Sequence, residues 1–373
     1  MKKRNKIAFI DKLMIPLAIL FAVGLICGSL AGYFDPVDHI LIAFAGLGYP
    51  FLLLGNVILV FWWLIRKRWV FSLATVVIIA IGWPTLTATY GLFGDEGKEV
   101  KTDDSLIRMM TYNVHSFKPY GEKITQEVKD KIINVVKGQN PDVICFQEFF
   151  TRFKGPFNTV DSLKKILNTK YYYFVPKMKS TTEATGFAIF SKFPIENKGE
   201  IIFENSRGNG SVFADVRTQG RLIRIYNIHL QSISFEKEDY SYLDKVKDMN
   251  TEVAPSKRIL HMLKSAFEKR SIQVELMKDH MRSCTTPYII AGDFNDTPAS
   301  YAVNKMTDSL NNAFVKKGSG FGKTYNGKFP NFQIDYIGTT KDIEVDNYHI
   351  VNAKLSDHFP VRSDLRLKAD AGK

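Results

Sequence analysis

The chain has 373 residues, which is enough for more than one domain, and 45% of them are hydrophobic. Its formal net charge is +12, and residues 1–100 are poor in charge, with only 9 Lys or Arg and 6 Asp or Glu. Three scattered cysteines without a CxxC spacing exclude a disulfide framework and argue against a zinc knuckle. The positive charge of the remaining residues is compatible with a phosphate-bearing partner, but its even spread is also typical of a solvated, lysine-rich surface.

Three long runs near the N-terminus contain no charged residue: about 13–34, 40–65 and 69–92. A helix needs about 20 residues to cross a hydrocarbon core of about 30 Å, and each run is long enough. A buried soluble helix rarely stays uncharged on all faces over this length. The pattern therefore predicts that residues 1–94 form a membrane anchor of three transmembrane α-helices. Small residues recur at four-residue spacing in the first run and favour close helix packing: Gly24, Gly28 and Gly32.

The charges that flank these runs predict an orientation. Basic residues precede the first run and fill the loop 66–68, whereas the loop after the first run carries Asp35 and Asp38 and no Lys or Arg. The positive-inside rule places the N-terminus and loop 66–68 in the cytoplasm. Three crossings then leave the C-terminal domain outside, so we expect an integral protein of the bacterial inner membrane with a periplasmic domain. A transporter is disfavoured because the runs contain no intramembrane charge.

The residues after the anchor are first polar and then alternate between strand-like and helix-like patterns. Residues 95–105 are predicted to form a short linker, and residues 106–373 a soluble domain. Many strands with helices between them indicate a layered α/β sandwich. Helices are predicted at 125–137, 157–168 and 255–281. Strands are predicted at 106–113, 143–147, 171–175, 187–190, 201–204, 212–217, 222–228, 288–291, 333–337, 344–351 and 361–367.

Polar residues follow several of the predicted strands, where a rigid scaffold commonly positions functional groups. Each of them alone is more often a turn residue or a packed imidazole. Together they offer the hard oxygen ligands that Mg²⁺ prefers, and imidazoles that can act on a phosphate or move a proton. The set is Asn113, Glu148, His229, Asp293, Asn295, Asp357 and His358.

Seven short motifs contain these residues and follow one another in a fixed order. They are Thr111-Tyr-Asn113-Val-His115, Phe146-Gln-Glu148, Gly186-Phe-Ala-Ile-Phe-Ser191-Lys-Phe-Pro194, Asn227-Ile-His229-Leu, Gly292-Asp293-Phe-Asn295-Asp296-Thr-Pro298, Ile334-Asp335-Tyr-Ile and Ser356-Asp357-His358-Phe-Pro360. In this order they resemble the endonuclease/exonuclease/phosphatase superfamily over residues 106–368. Its branches include pancreatic-type DNases, abasic-site endonucleases, bacterial sphingomyelinases and inositol-polyphosphate 5-phosphatases. A single motif is weak, but seven in register are specific.

The resemblance implies a DNase I-like, four-layer α/β/β/α sandwich that uses Mg²⁺, with Mn²⁺ as a substitute. It implies that Glu148 is the main metal ligand, with Asn113 beside it and Asp357 close, partly through water. A divalent cation stabilises the negative charge that builds up on the oxygens of a phosphate ester during hydrolysis.

The resemblance also implies the roles of five further residues. Asp293 would orient or deprotonate the attacking water, and Asn295 would help to hold that water and a phosphate oxygen. His358, oriented by Asp335, and His229 would donate hydrogen bonds to the phosphate. Two imidazoles, a carboxylate and a cation form a chemically coherent set for this hydrolysis.

The chain departs from the abasic-site branch in two places. That branch has Tyr-x-Pro-Asn where this chain has Asn227-Ile-His229-Leu, and an acidic residue where this chain has His115, which puts a second metal position in doubt. Arg270 and Gln273 match an Arg-x-x-Gln of the family, and Arg270 either supports the site or lies on a solvated helix face. An insert at 231–255, with Phe235, Tyr240 and Tyr242, either lines the substrate cleft or forms a solvated loop.

The sequence thus predicts a membrane-anchored, Mg²⁺-dependent phosphoesterase that hydrolyses a phosphodiester or a phosphomonoester. Two substrate classes stay open: nucleic acid, and a phospholipid head group, since the anchor holds the domain near the lipid bilayer. The alternative is a catalytically inactive adaptor that uses the same fold for binding, and the complete set of polar residues counts against it. The sequence identifies no protein partner.

Overall fold

The computed structural model describes residues 8–97, 100–119, 123–204, 206, 208–233, 253–327 and 332–369. Its N-terminal part is a set of apolar helices that ends in a two-residue strand. Many large apolar side chains are exposed here, as in Leu20 (67%) and Val70 (79%). The elements are α1 (Phe9–Leu30), a 3₁₀ turn (Ala31–Tyr33), α2 (Ile40–Leu47), α3 (Tyr49–Ile65), α4 (Trp69–Ile81), α5 (Trp83–Thr89) and β1 (Tyr90–Gly91).

The prediction of three transmembrane helices needs correction. Within the described residues, only Phe9–Tyr33 is by itself a helix long and apolar enough to cross a membrane. The other two predicted spans are each broken into a bent pair, with 66° between α2 and α3 and 71° between α4 and α5. The breaks fall at Gly48 and Gly82, and a proline follows each glycine within two residues. Proline lacks the N–H needed to continue a helix but suits the first turn of a new one.

Close contacts join the anchor helices. A Cβ on Gly24 would lie 2.8 Å from the side chain of Leu52 in α3, and one on Gly28 would lie 2.8 Å from a backbone oxygen of α2. The predicted close packing at these two glycines is therefore confirmed. Asn56, buried in α3, donates to the carbonyl oxygen of Phe21 at 2.9 Å, so its amide nitrogen is hydrogen-bonded inside the apolar bundle.

The C-terminal part begins with β2 and alternates strands with helices. Thr125 and Asn158 accept hydrogen bonds from backbone N–H groups at the starts of two of these helices. In chain order the elements are β2 (Ile107–Asn113), α6 (Gln126–Gln139), β3 (Val143–Arg152), α7 (Thr159–Ile166), β4 (Tyr171–Lys179), β5 (Glu183–Ser191), β6 (Ile195–Ile201), β7 (Gly210–Thr218), β8 (Arg221–His229), α8 (Val253–Arg282), β9 (Tyr288–Asp293), α9 (Tyr301–Thr307), β10 (Asn311–Asn312), α10 (Ala313–Lys317), β11 (Gly320–Phe321), β12 (Asp335–Thr339), β13 (Ile343–Ile350) and β14 (Val361–Leu367).

The strands form two six-stranded mixed sheets. One has the order β10-β12-β9-β8-β7-β6 and the other β13-β14-β2-β3-β5-β4. In each sheet one central pair is parallel, β8 with β9 and β2 with β3, and the other pairs are antiparallel. Parallel neighbours end at the same edge of a sheet. The residues that follow β2 and β3 therefore lie close together, and so do the residues that follow β8 and β9.

Three apolar cores separate four layers. The central core packs one sheet on the other and includes Met109 and Cys145 from one sheet and Ile225 and Ala291 from the other. Helices α6 and α7 cover the sheet that contains β2, and helices α8 and α9 cover the sheet that contains β9. The order α/β/β/α confirms the predicted fold class for this domain.

The secondary structure differs from the prediction in a few places. The strand predicted at 201–204 is wrong, because β6 ends at Ile201. The short helices α9 and α10 were not predicted, since seven and five residues carry too little periodicity to stand out.

The anchor packs directly on the C-terminal domain. Strand β1 pairs with β11, in the register Tyr90 with Phe321. Asp35, which follows α1, accepts a hydrogen bond from Ser271 Oγ of α8 at 2.8 Å. A Cβ on Gly32 would lie 2.9 Å from Asn304 of α9, so the third glycine of the predicted packing motif faces the domain and not another anchor helix.

Candidate active site

The candidate site lies where the central strands of the two sheets end. Asn113 is the last residue of β2, His229 the last of β8 and Asp293 the last of β9. All three side chains are buried. The parallel pairing of β8 with β9 sets His229 directly beside Asp293. The predicted meeting of polar residues at strand ends is therefore seen in the structure.

Asp293 is the centre of the polar cluster. Its Oδ2 accepts a hydrogen bond from Nδ2 of Asn113 at 3.0 Å, and Nε2 of His229 and of His358 each lie 3.5 Å from the same oxygen. Its Oδ1 accepts the backbone N–H of Asn295 at 2.8 Å. These contacts fix the carboxylate, and they leave both imidazole Nε2 atoms beside one carboxylate oxygen.

His358 is oriented by Asp335. Nδ1 of the imidazole lies 2.9 Å from Asp335 Oδ2, and both side chains are buried. Asp335 opens β12 and pairs in register with Asp293 of β9, which places the two carboxylates on neighbouring strands. A carboxylate at Nδ1 fixes the ring so that Nε2 faces the site.

Burial and charge set the protonation of these groups. Burial raises the pKa of Asp293, although His358 and His229 act in the opposite direction. Burial lowers the pKa of His229, so its imidazole is neutral near pH 7. For His358 burial alone would lower the pKa, but the carboxylates of Asp335 and Asp293 outweigh it and raise the pKa well above the usual imidazole value. The site therefore contains one neutral and one cationic imidazole.

Glu148 presents a carboxylate to the same cavity. The ladder between β3 and β5 shifts register between Phe146 and Phe149, and Glu148 has a φ of 51°. A bulge of this kind re-aims a side chain that would otherwise follow the alternation of the strand. Oε1 of Glu148 lies 3.5 Å from Nδ2 of Asn113, and within the described residues Glu148 forms no ion pair.

The side chains around Glu148 fit a divalent cation. Glu148 and Asp357 both line the cavity and offer carboxylate oxygens. Asn113 Oδ1 accepts the N–H of His115 at 3.1 Å and keeps a second lone pair. Nδ1 of His115 lies 3.4 Å from Asp357 Oδ1.

A second set of possible metal ligands is less suitable. Ligand atoms of Asp293, Asp335 and His358 lie within 4.8 Å of one another. Two members of this set, His358 Nδ1 and Asp335 Oδ2, already lie at hydrogen-bond distance, 2.9 Å apart. The oxygen-rich group around Glu148 therefore fits Mg²⁺ better than this set does.

The structure brings all of the predicted site residues together. Seven of them line one cavity of about 270 Å³: Asn113, Glu148, His229, Asp293, Asn295, Asp357 and His358. Asp335 lies behind the cavity, in contact with His358. The cavity also has an apolar wall formed by Leu47, Ile233, Leu263, Phe267 and Phe332. Ile233 lies in the insert 231–255, whereas the sequence did not predict the other four residues. No local signal marks these residues, because each lies in an ordinary apolar pattern.

Arg270 belongs to the site and does not lie on a solvated helix face. It is 1% exposed, lines the cavity and pairs through Nε with Asp296 Oδ2 at 2.9 Å. Gln273 accepts the backbone N–H of Gln231 through Oε1 at 2.8 Å. Both residues of the Arg-x-x-Gln match thus fix the chain that follows β8, because Arg270 also donates to the carbonyl oxygen of Gln231.

The predicted insert after β8 is only partly described. Ser232 and Ile233 line the cavity. Residues 234–252, with Phe235, Tyr240 and Tyr242, lie outside the described residues, so the prediction about their role stays a prediction.

Comparison with known proteins agrees with this geometry. Residues 110–358 match the endonuclease/exonuclease/phosphatase family, and residues 11–89 match a family described as a domain of unknown function. The fold and site together define a phosphoesterase of the DNase I-like type. Because the match spans more than half of its length, the chain belongs to the endonuclease/exonuclease/phosphatase family. No curated protein sequence matches the chain.

Solved structures share the fold. An endonuclease/exonuclease/phosphatase from Beutenbergia cavernae is 18% identical with a TM-score of 0.52, over 71% of this chain and 72% of that one. One from Bacteroides vulgatus is 18% identical with a TM-score of 0.52, over 71% of this chain and all of that one (100%). Truncated Caenorhabditis elegans TDP2 is 16% identical with a TM-score of 0.50, over 71% and 100%. At these identities the likeness shows the fold alone.

Proposed function

We propose that the protein is a membrane-anchored phosphoesterase that requires Mg²⁺ or Mn²⁺ and hydrolyses a phosphodiester or a phosphomonoester. One observation carries this proposal: the carboxylate of Asp293 lies between two imidazoles, with Nε2 of His229 and of His358 at 3.5 Å, at the wall of a cavity. A base beside hydrogen-bond donors is what hydrolysis of a phosphate ester needs.

Each side chain of the site has its own role in hydrolysis. Asp293 accepts a proton from a water molecule, whose oxygen attacks the phosphorus while the bond to the leaving group breaks. Asn113 and Asn295 hold Asp293 in position through its two carboxylate oxygens. His358, as an imidazolium, donates a hydrogen bond to a phosphate oxygen and offsets its growing charge. His229 donates a second one.

Asn295 has a narrower role than the resemblance implies. Its Nδ2 donates to the carbonyl oxygen of Leu230 at 3.0 Å, and its backbone N–H holds Asp293. Its Oδ1 remains to orient the attacking water, and we assign it no contact with a phosphate oxygen.

Glu148, Asn113 and Asp357 would hold the metal. When bound, the metal supplies positive charge that polarises the phosphate and lowers the barrier to attack. An oxygen-only ligand set of this kind favours Mg²⁺ or Mn²⁺ over zinc. Glu148 is the residue best suited as the main ligand, because its carboxylate faces the cavity without a competing cation among the described residues.

We further propose that α1 spans the bilayer and that α3 and α4 lie beside it. Asp11, at the start of α1, pairs with Arg66 Nε at 2.9 Å and Arg68 Nε at 3.0 Å, so the basic loop lies at the N-terminal end of α1. The C-terminal domain packs on the other end, at Asp35 and α2. With the basic end in the cytoplasm, the domain lies on the extracytoplasmic side.

An inactive adaptor is the weaker explanation of the same fold. Burying Asp293, Asp335 and His358 together costs stability, since each ionisable group loses water. A surface used only for binding does not require these buried groups, whereas a hydrolytic site requires them despite the loss of stability.

The test is hydrolysis by the full chain, purified in detergent. Substrates are DNA, RNA, phospholipids, and the chromogenic bis-p-nitrophenyl phosphate and p-nitrophenyl phosphate, each with Mg²⁺, with Mn²⁺ or with EDTA. We expect turnover of at least one substrate with metal, and losses of about a hundredfold or more in Glu148→Gln and Asp293→Asn. Glu344→Gln, an exposed carboxylate on β13, is the control and should keep wild-type activity. Turnover that survives EDTA, or site variants as active as wild type, would refute the proposal.

A further inference from the structure

The cavity has two chemically different sides. Around Asp293 it is polar and charged, as the site requires. Another part of its lining, formed by Leu47, Leu263 and Phe267 of one apolar cluster, is apolar. These three side chains offer no hydrogen bond or charge to a phosphate or a sugar, so the wall has no evident use for a purely polar substrate.

The apolar wall is built partly from the anchor. Leu47 ends α2, whereas Leu263 and Phe267 belong to α8 of the catalytic domain. The two helices pack together: the rings of Phe44 and Phe267 meet edge to face with centroids 5.5 Å apart. Ile40 and Ala43 of α2 join the same apolar cluster. A helix of the anchor is therefore fixed against the catalytic site.

The wall continues into the lipid-facing surface of the anchor. Leu41, on α2, is 81% exposed, and Phe51 and Leu54, at the start of α3, are 57% and 58% exposed. Exposed apolar side chains at this density are typical of a surface that contacts hydrocarbon. The helix that lines the cavity at Leu47 therefore belongs to a segment with a large exposed apolar surface.

A polar cavity adjoins the site beyond Glu148 and His229, which line both cavities. Its other lining residues include Lys177, Thr185 and Asn209. Glu148 and His229 are therefore shared by a cavity with an apolar wall and by a polar space that can accept hydroxyl or charged groups. This order of polarity matches that of a membrane lipid, in which a phosphate ester joins a hydrocarbon part to a polar head.

We infer that the substrate is a lipid of the bilayer that carries a phosphate ester, with its hydrocarbon part along Leu47, Leu263 and Phe267. The inference rests on the proposed phosphoesterase function and names its substrate class.

The test compares lipids with their own head groups. The full chain in dodecyl maltoside micelles is given phosphatidylglycerol, a phosphatidylinositol phosphate or sphingomyelin, and in parallel the deacylated head group of each, with Mg²⁺. We expect kcat/KM for at least one lipid to exceed that for its head group about tenfold or more, since each buried methylene adds to binding. DNA and RNA should be turned over more slowly than that lipid.

Variants of the wall make the test specific. Leu47→Gln and Leu263→Asn should lower kcat/KM for the lipid about tenfold and lower turnover of bis-p-nitrophenyl phosphate by a clearly smaller factor. Leu276→Asn, on an exposed position of α8 that does not line the cavity, should change neither. The chromogenic ester also shows whether each variant is folded, and the two wall positions lie on different helices.

The outcomes separate this inference from the proposed function. Preference for nucleic acid or for deacylated head groups, or equal losses on lipid and chromogenic ester in both wall variants, would overturn the lipid assignment and leave the phosphoesterase standing. No metal-dependent turnover of any substrate would overturn both.

Discussion

Arg270 and Asp296 form an ion pair in which both side chains are almost fully buried, at 1% and 4% exposure, with Nε 2.9 Å from Oδ2. The pair ties α8 to the loop after β9, one residue beyond Asn295. Burial raises the pKa of Asp296, although the guanidinium of Arg270 acts against this. The ion pair therefore holds the loop of the site in place. Replacing either partner alone would lower the stability of the protein, because the other charge would be left buried and unpaired.

Removing one partner should destabilise the protein strongly. Arg270→Met leaves a buried carboxylate without its cation, and we expect a loss of about 3–5 kcal/mol of stability. The double variant Arg270→Met/Asp296→Asn should recover much of this loss, because no unpaired charge remains. Arg282→Met, which removes an exposed pair with Asp279 on the same helix, should cost about 1 kcal/mol or less. Thermal unfolding in detergent measures all three, and a double variant as unstable as Arg270→Met would contradict this explanation.

Asp335 is expected to act through His358 as a positioning residue. Asp335→Asn keeps the shape but loses the carboxylate at Nδ1, so the imidazole can adopt the wrong tautomer. We expect kcat to fall about a hundredfold or more while KM changes little, as when the carboxylate of a catalytic triad is lost. Steady-state kinetics on bis-p-nitrophenyl phosphate measure both constants, with the exposed Asp342→Asn as control. A rise in KM with kcat unchanged would indicate a role in binding and not in positioning.

His280 should make the folded state sensitive to acid. Its Nδ1 lies 3.0 Å from the hydroxyl of Tyr226, and burial, with Arg224, lowers its pKa. Below the usual imidazole pKa of about 6.5, the unfolded chain binds a proton that the folded chain does not. Stability from this group is thus complete above that pH and is lost as the pH falls toward the lowered pKa of the folded state.

Replacing His280 should reduce this sensitivity. We expect the Tm of His280→Asn to be lower than that of wild type near pH 7.5, because the contact with Tyr226 is lost, but to fall less between about pH 7.5 and 5.5. Scanning fluorimetry across this range gives both slopes. If the Tm of wild type and of His280→Asn fall in parallel with pH, the acid sensitivity arises from other groups, such as His229, whose pKa is also lowered.

The orientation of the anchor can be tested with reporter fusions. Alkaline phosphatase fused after Asp104 should be active, because the positive-inside rule exports the residues beyond the anchor. The same reporter fused after Lys67, in the basic loop, should be inactive. The opposite pair of results would place the catalytic domain in the cytoplasm.

The parts of the site that are local in sequence could be predicted, and those that depend on packing could not. Asn113, His229 and Asp293 end strands with clear apolar patterns, so their meeting follows from the sheet topology. Glu148 was found through its motif, but its aim depends on a bulge that no pattern marks. Leu47 carries no functional signal at all, because its role arises from the packing of α2 on α8.

The anchor shows a similar limit. Composition indicates apolar helices correctly, but it does not reveal the breaks at Gly48 and Gly82, since glycine and proline also occur inside membrane helices. Whether such a pair kinks or continues a helix depends on what packs against it. Here α2 packs on the catalytic domain, which accounts for its departure from the axis of α3.

Leu47 also sets a limit on how this architecture can be rearranged. A fragment that began at residue 101 would lack one side of the cavity, so its preference among esters would differ from that of the intact chain. Fusion of the hydrolase domain to an unrelated membrane segment would change chemistry as well as location.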